Sequence, residues 1–234
     1  MVLDFYDVPM YRKEISYFHD DVPILTYHAK AFDAHQLFIK RMVDIVGSLV
    51  GLLILAALCP FIAVAIKLDS PGPVFFSQQR VGTNGRIFTC RKFRSMVDTA
   101  EQQKPALMER NEMNGALFKI RNDPRLTRVG RFLRRTSLDE FPQFWNVLVG
   151  EMSLVGPRPP TPSEVEQYEN WHRRRISIKP GLTGLWQVSG RSHIDVFDDV
   201  VKLDLAYIDN WSLWLDLKII LKTVYVVFAR TGSY

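Results

Sequence analysis

The stretch IVGSLVGLLILAALCPFIAVAI, residues 45–66, decides the fold. Its 22 residues carry no charge. As a helix they reach about 33 Å, slightly more than the roughly 30 Å of a bilayer's hydrocarbon core. Lys40 and Arg41 precede the stretch, Asp44 sits at its entry and Lys67 follows it. It is apolar on every side, unlike the one-sided helix of a soluble core. Pro60 lacks the N–H that a helix needs at that point, so a bend or break is expected there. Two arrangements satisfy these facts. One is a kinked transmembrane helix. The other is a re-entrant hairpin broken at Pro60, which returns Lys40 and Lys67 to one face. Basic residues at both ends give the positive-inside rule no outside to choose.

The 234 residues as a whole have an ordinary globular composition, with 47% hydrophobic, 24% charged and 12% aromatic residues. That excludes a disordered chain. Two cysteines cannot build a disulfide framework or a cysteine-rich zinc site, and His172 and His193 have no partner at metal-ligand spacing. The net charge of +5 and pI near 9.2 raise the question of nucleic acid, but that reading leaves the apolar stretch unexplained. No nucleic-acid partner is expected.

Upstream, residues 1–39 form an aromatic and acidic leader in which VPILTY at 22–27 reads as a strand. Downstream, residues 71–234 alternate short elements with Gly/Pro loops. A hairpin is expected from strand 74–80, a turn at Asn84-Gly85 and strand 86–93. Helical segments are expected over 98–113, from Pro124 through Arg135, over 139–148 and over 196–209. Ser163 with Glu166 has capping-box spacing. The C-terminal segment sets Trp211, Trp214, Leu217, Ile220, Val224 and Phe228 among Lys218, Lys222 and Arg230. It reads equally as an interfacial amphipathic helix and as a core-packed terminal helix. The fold class is therefore mostly α with a small β-hairpin, and membrane-associated.

Chemistry concentrates after residue 118. Lys119, Arg121, Arg125, Arg128, Arg131, Arg134 and Arg135 are opposed within that run only by Asp123. Adjacent carboxylates follow at Asp139 and Glu140, and two loop arginines at Arg158 and Arg191. Arginine matches phosphate oxygens with planar, paired donors. An ionised aspartate can attack phosphorus, and a neighbouring glutamate can hold Mg²⁺. The same Ser137–Glu140 spacing also makes a plain helix cap, and the arginines equally make a solvated face or a patch for anionic lipid.

Several segments together resemble the bacterial sugar transferase family, the monotopic polyprenyl-phosphate phosphoglycosyl transferases. They are KRMVDIVGSLVGLLILAALCPFIAVAIKLDSPGPVFFSQQRVG, KFRSM, TRVGRFLRRTSLDEFPQFWNVLVGEMSLVGPRP and KPGLTGLWQVSGR. The resemblance runs from about Lys40 to the C-terminus. It implies a re-entrant membrane helix over 40–70, broken at Cys59-Pro60 where the family has Ser-Pro or a similar pair. It also implies a cytoplasmic catalytic domain over 71–234, at the bacterial inner membrane. Asp139 then falls on the nucleophile and Glu140 on the Mg²⁺ ligand. Arg134, Arg158 and Arg191 fall on phosphate or substrate contacts, with Lys92 and Arg94 as further candidates. The implied reaction passes hexose 1-phosphate from a UDP-sugar, glucose before galactose, to undecaprenyl phosphate through an aspartyl intermediate, with release of UMP. Exopolysaccharide or capsule synthesis is the implied setting, and a homodimer is permitted. The leader resembles the exit from the N-terminal region of longer family members. A non-catalytic scaffold of polysaccharide assembly is the alternative.

Overall fold

A computed structural model describes residues 11–18, 22–29, 33–118, 120, 122–190 and 194–229. The chain divides into two units, Met1–Lys40 and Arg41–Tyr234. In the first, β1 (Tyr11–Phe18) pairs antiparallel with β2 (Val22–Ala29), so the strand expected at 22–27 is extended and has a partner.

The apolar stretch forms the centre of α1 (Ala34–Asp69), which starts inside the expected leader. The expected break at Pro60 is absent: the helical run passes through it. A proline removes one backbone donor, and here packing on both sides of it keeps the chain helical. Asp44, Ser48, Gly51, Leu55, Cys59, Ile62 and Ile66 recur every three or four residues and face the second unit. Asp44 Oδ1 accepts from Ser153 Oγ at 3.0 Å and from the Leu154 N–H at 2.9 Å. Arg41 donates to the Val147 and Leu148 carbonyls at 2.8 and 2.7 Å. At the far end, Asp69 Oδ2 accepts from the Val129 N–H at 2.8 Å. A Cβ on Gly51 would lie 2.5 Å from the Phe144 ring, so the small residue permits the close approach. The opposite face exposes Val46, Leu49, Val50, Leu53, Phe61, Val64 and Leu68. Among the described residues, α1 alone is long and apolar enough to cross a membrane, and only 11% of its most apolar window is buried. A core helix of a soluble protein would bury most of that surface.

The hairpin forms one residue later than expected in its first strand, from β3 (Phe75–Val81) and β4 (Ile87–Phe93). Asn84 and Gly85 both take positive φ in the turn. One face turns Phe93, stacked on Phe75, into a cluster with Ile66 and Leu133. The other buries Phe88 and Cys90 against Val147 and Met152. The helix expected over 98–113 is shorter pieces: α2 (Ala100–Gln103) and a 3₁₀ segment, Pro105–Arg110. α3 (Arg128–Arg135) starts later than Pro124 because the Thr127 hydroxyl caps it, accepting from the Gly130 N–H. The helix expected over 139–148 is a 3₁₀ turn, Leu138–Gln143, followed by α4 (Phe144–Val149). Pro142 supplies no N–H, so α-helical bonding begins only after it. β5 (Ser153–Val155) and β6 (Gly181–Thr183) pair in parallel. Between them lies α5 (Pro162–Glu166), whose capping box uses Thr161 and Glu164, not Ser163 and Glu166.

The main apolar cluster joins α6 (Leu185–Val188) and α7 (Phe197–Asp209) through Trp186, Phe197, Val200 and Val201, with Met113, Leu117 and Tyr168. The terminal helix, α8 (Leu213–Ala229), packs one side on the core and leaves the other exposed. Its inner side is fixed by Asp216, which accepts from Tyr207 Oη at 2.7 Å and from Trp211 Nε1 at 3.2 Å. Its outer side exposes Trp214, Leu217, Leu221, Val224 and Tyr225, with Lys218 over the Trp214 ring. The side chain of Phe228 and all of Arg230 lie outside the described residues.

Candidate functional site

The site is built where β4 meets the 3₁₀ turn after α3. Gly130 lets α3 sit on the chain at Ser95, since a Cβ there would be 1.8 Å from the Ser95 carbonyl oxygen. Ser137 then takes a left-handed conformation, φ 55°, and ends the helix. The chain turns sharply, Leu138 packs against the cluster of Ile66, Phe93 and Leu133, and the next two residues are Asp139 and Glu140. Asp139 is 7% exposed. The carboxylate pair thus follows directly on a residue packed against the cluster to which α1 contributes Ile66.

Lys92, at the end of β4, places Nζ 2.6 Å from Glu140 Oε1. Both side chains keep 27% of their surface exposed, so the pair stays accessible and exchangeable. β4 is held at its outer edge by Asn146, whose buried amide donates to the Thr89 carbonyl at 2.8 Å and accepts from the Arg91 N–H at 3.4 Å. Arg158 lies with Nη1 3.6 Å from Glu164 Oε2. Its loop is tied to β3: Arg80 Nη1 donates to the Pro159 carbonyl at 2.9 Å, and the Val81 N–H to the Pro160 carbonyl at 2.8 Å. Burial, and then Arg158 beside it, push Arg80 down to about 10, while Glu164 and Glu140 pull the other way. Two guanidinium groups held close in a half-dry site attract an anion. Burial raises the Cys90 thiol despite Lys92 and Arg80, which fits a cysteine packed in a strand.

The sequence-derived residues separate into three sets. Glu140, Lys92 and Arg158 share one electrostatic neighbourhood with Arg80, and Asp139 is the chain neighbour of Glu140. Arg134 stands beside it, donating from Nε to Ser95 Oγ at 3.0 Å and adding to the field on Asp123. Burial would raise the Asp123 carboxyl, but its hydrogen bonds to Arg125 hold it below the usual range. Arg94 does a different job: it is buried and donates to the Ser70 and Pro71 carbonyls, which fixes the exit from α1. Arg191 lies outside the described residues, as do Lys119, Arg121 and His193. His172 is buried, accepts at Nδ1 from the Glu169 N–H, and packs on Tyr168 and Phe197.

Sequence reading missed Arg80 and Glu164. Alternation along the hairpin could have found Arg80. The pairs Arg80↔Phe88, Gln78↔Cys90 and Phe76↔Lys92 put it on the face of Lys92.

Among the described residues no group of three or more His, Cys, Asp or Glu could hold a metal ion. Magnesium does not require one, because it commonly binds one or two carboxylates, water and substrate phosphates. Asp139 and Glu140 are hard oxygen donors of that kind, and Glu140 is partly open to solvent. The residues present fit the ion.

Fold and site together define a mostly helical protein with, among the described residues, one membrane-grade helix, and an acid pair whose Glu140 is ion-paired with Lys92. Residues 35–230 match the family model described as bacterial sugar transferase, and the chain belongs to that family. It is 52% identical over 210 residues to the galactosyl transferase CpsE of Streptococcus agalactiae, covering 90% of this chain and 46% of that protein. It is 42% identical over 239 residues to the undecaprenyl-phosphate galactose phosphotransferase of Salmonella typhimurium, covering 100% and 50%. It is 41% identical over 199 residues to the exopolysaccharide production protein ExoY of Rhizobium meliloti, covering 83% and 88%. The chain spans about half the length of the first two.

Proposed function

We propose that the chain transfers a hexose 1-phosphate from a UDP-sugar to undecaprenyl phosphate in exopolysaccharide or capsule synthesis. One observation carries this. The largely buried Asp139 is followed by Glu140, which is ion-paired with Lys92 and shares the field of Arg80, on a turn whose Leu138 packs against the apolar cluster that Ile66 of α1 enters. A soluble site would have to draw a long isoprenoid tail through water to reach its phosphate, at about 0.8 kcal/mol per methylene.

In this reading an Asp139 carboxylate oxygen attacks the β-phosphorus of the UDP-sugar. The bond from that phosphorus to the bridging oxygen breaks, and UMP leaves with the bond's electron pair. Arg158 and Lys92 hold phosphate oxygens, with Lys92 leaving Glu140 as substrate arrives. Arg134 and Arg191 are further phosphate contacts. A phosphate oxygen of undecaprenyl phosphate then attacks the same phosphorus and restores the Asp139 carboxylate. Glu140, with Asp139, would hold Mg²⁺, which when bound neutralises diphosphate charge. Galactose now ranks ahead of glucose, because the 52%-identical relative is named a galactosyl transferase.

The membrane arrangement is monotopic. Arg41 and Asp44 before the apolar stretch and Asp69 after it all bond to the second unit, which favours a helix seated along one face of the bilayer over a crossing. The outer side of α8 would lie in the headgroup layer. Basic residues flanking α1 at both ends put that face at the cytoplasmic side of the bacterial inner membrane.

The test is UMP release from UDP-galactose and UDP-glucose by protein in nanodiscs, with and without EDTA. Wild-type protein releases UMP and EDTA stops it. Asp139→Asn binds membrane and releases none. Full turnover by Asp139→Asn would remove the nucleophile, and no UMP from wild-type protein with any UDP-sugar would favour the scaffold reading.

A further inference from the structure

The proposed function uses Arg134 and leaves the other arginines of α3 without a task. They are not scattered. Arg128, Arg131, Phe132 and Arg135 are exposed at positions i, i+3, i+4 and i+7, so they form one stripe along the helix. The inward side carries Val129, Gly130 and Leu133. Phe132 is 50% exposed between the arginines, an aromatic ring left in the open beside three cations.

The stripe's location gives it meaning. Val129 and Leu133 pack with Ile62 and Ile66 of α1, and Asp69 of α1 accepts the Val129 N–H beside Arg128. The opposite face of α1 exposes Val64 and Leu68, the latter to 84%. At its other end the stripe approaches the site in sequence: Arg135 is four residues before Asp139, and α3 packs on the turn that carries the acid pair. The stripe therefore lies on a helix packed between the apolar α1 and the turn that carries the carboxylates.

We propose that the Arg128–Arg131–Phe132–Arg135 face is the docking surface for the phosphate monoester of the lipid acceptor. This rests on the acceptor being an isoprenoid phosphate. The tail lies along the exposed side of α1, Phe132 sits at the boundary, and the arginines hold the doubly charged phosphate before Asp139 is reached. Charge and shape both fit: guanidinium groups take phosphate oxygens in pairs, and an aromatic ring favours the level between headgroup and hydrocarbon.

The test uses the full chain in phosphatidylcholine nanodiscs, with undecaprenyl phosphate as the probe. The triple variant Arg128→Gln/Arg131→Gln/Arg135→Gln changes only exposed positions and keeps good helix formers. Two quantities are read: exchange of labelled UMP into UDP-sugar without acceptor, and KM for undecaprenyl phosphate at saturating UDP-sugar. Exchange stays within about twofold of wild type. KM for the acceptor rises about fivefold per arginine lost, on the scale of one basic residue at a charged membrane surface. Phe132→Ser raises the same KM and leaves exchange alone. An unchanged acceptor KM overturns the proposal, as does a parallel fall in exchange, which would make the stripe a support for the acid pair. A defect seen only when phosphatidylglycerol is added would assign the stripe to bulk anionic lipid and also overturn it. Failure of exchange in wild-type protein speaks against the covalent aspartyl step, while the acceptor KM still reads the stripe.

Discussion

Asp204→Ala is expected to be among the most destabilising single substitutions in the second unit. Arg175 and Asp204 are 3% and 1% exposed. Arg175 Nε and Nη2 lie 2.8 and 2.7 Å from Asp204 Oδ2, and Nη1 donates to Tyr168 Oη at 2.7 Å. Removing the carboxylate leaves a buried guanidinium with no counter-charge, at a cost of about 3–5 kcal/mol. For a unit of this size each kcal/mol is worth about 2–4 °C, so the melting temperature should fall by about 6–20 °C. The double variant Arg175→Met/Asp204→Leu removes both desolvated charges and should regain most of that loss. Thermal unfolding in detergent at fixed scan rate reads both. A fall of less than about 2 °C for Asp204→Ala, or a double variant no better than the single, would refute the reasoning.

The same pair gives a signed pH dependence. Burial pushes the Asp204 carboxyl up to about 6, against the pull of Arg175, and Oδ1 has no hydrogen-bond partner among the described residues. The folded protein thus keeps a proton that the unfolded chain releases near 3.8. This group's contribution to stability is complete below that value and is lost as pH rises through about 6. Asp204→Asn should abolish this component, so the difference in melting temperature between wild type and variant should change between about pH 4 and 6.5 and be flat above. A constant difference across that range would show that the carboxyl is not raised.

Glu164 both closes the α5 capping box and faces Arg158. Glu164→Gln keeps the cap, because glutamine serves at that position, and should leave the melting temperature near wild type. It should raise KM for the UDP-sugar by up to about fivefold, the scale of a partly exposed ion pair. Glu164→Ala should also cost about 1 kcal/mol of stability through the lost cap. Asn146→Leu strands the Thr89 carbonyl and the Arg91 N–H at about 1–3 kcal/mol each. Both melting temperature and UMP release should fall, because Lys92 directly follows the loosened edge.

What was legible in the sequence follows the range of the interactions involved. The apolar run of α1, the Asn84-Gly85 turn and the Asp139–Glu140 pair depend on neighbours in the chain, and each was visible. Pro142 is visible too, but its effect is not: it makes the acid pair part of a 3₁₀ turn whose first residue, Leu138, packs against the cluster of Ile66, Phe93 and Leu133. What could not be read depends on distant partners. Asp44 looks like a stray charge at a membrane helix until Ser153 and Leu154, about 110 residues away, are seen to bond it. Arg94 looked like a phosphate ligand because it stands two residues from Lys92. Strand alternation puts the two on the same side, yet β4 ends at Phe93 and the chain turns toward Ser70 and Pro71. Arg80 went unnoticed for the converse reason, since only the return of the Pro159-Pro160 loop gives it a task. The unbroken helix at Pro60 belongs with these. A proline's local cost is fixed, but whether the helix pays it by breaking depends on the surface beneath, and here seven α1 residues from Asp44 to Ile66 share one. The same one-sided contact is what supports the monotopic seat proposed above, since it holds α1 along one surface from Asp44 to Ile66.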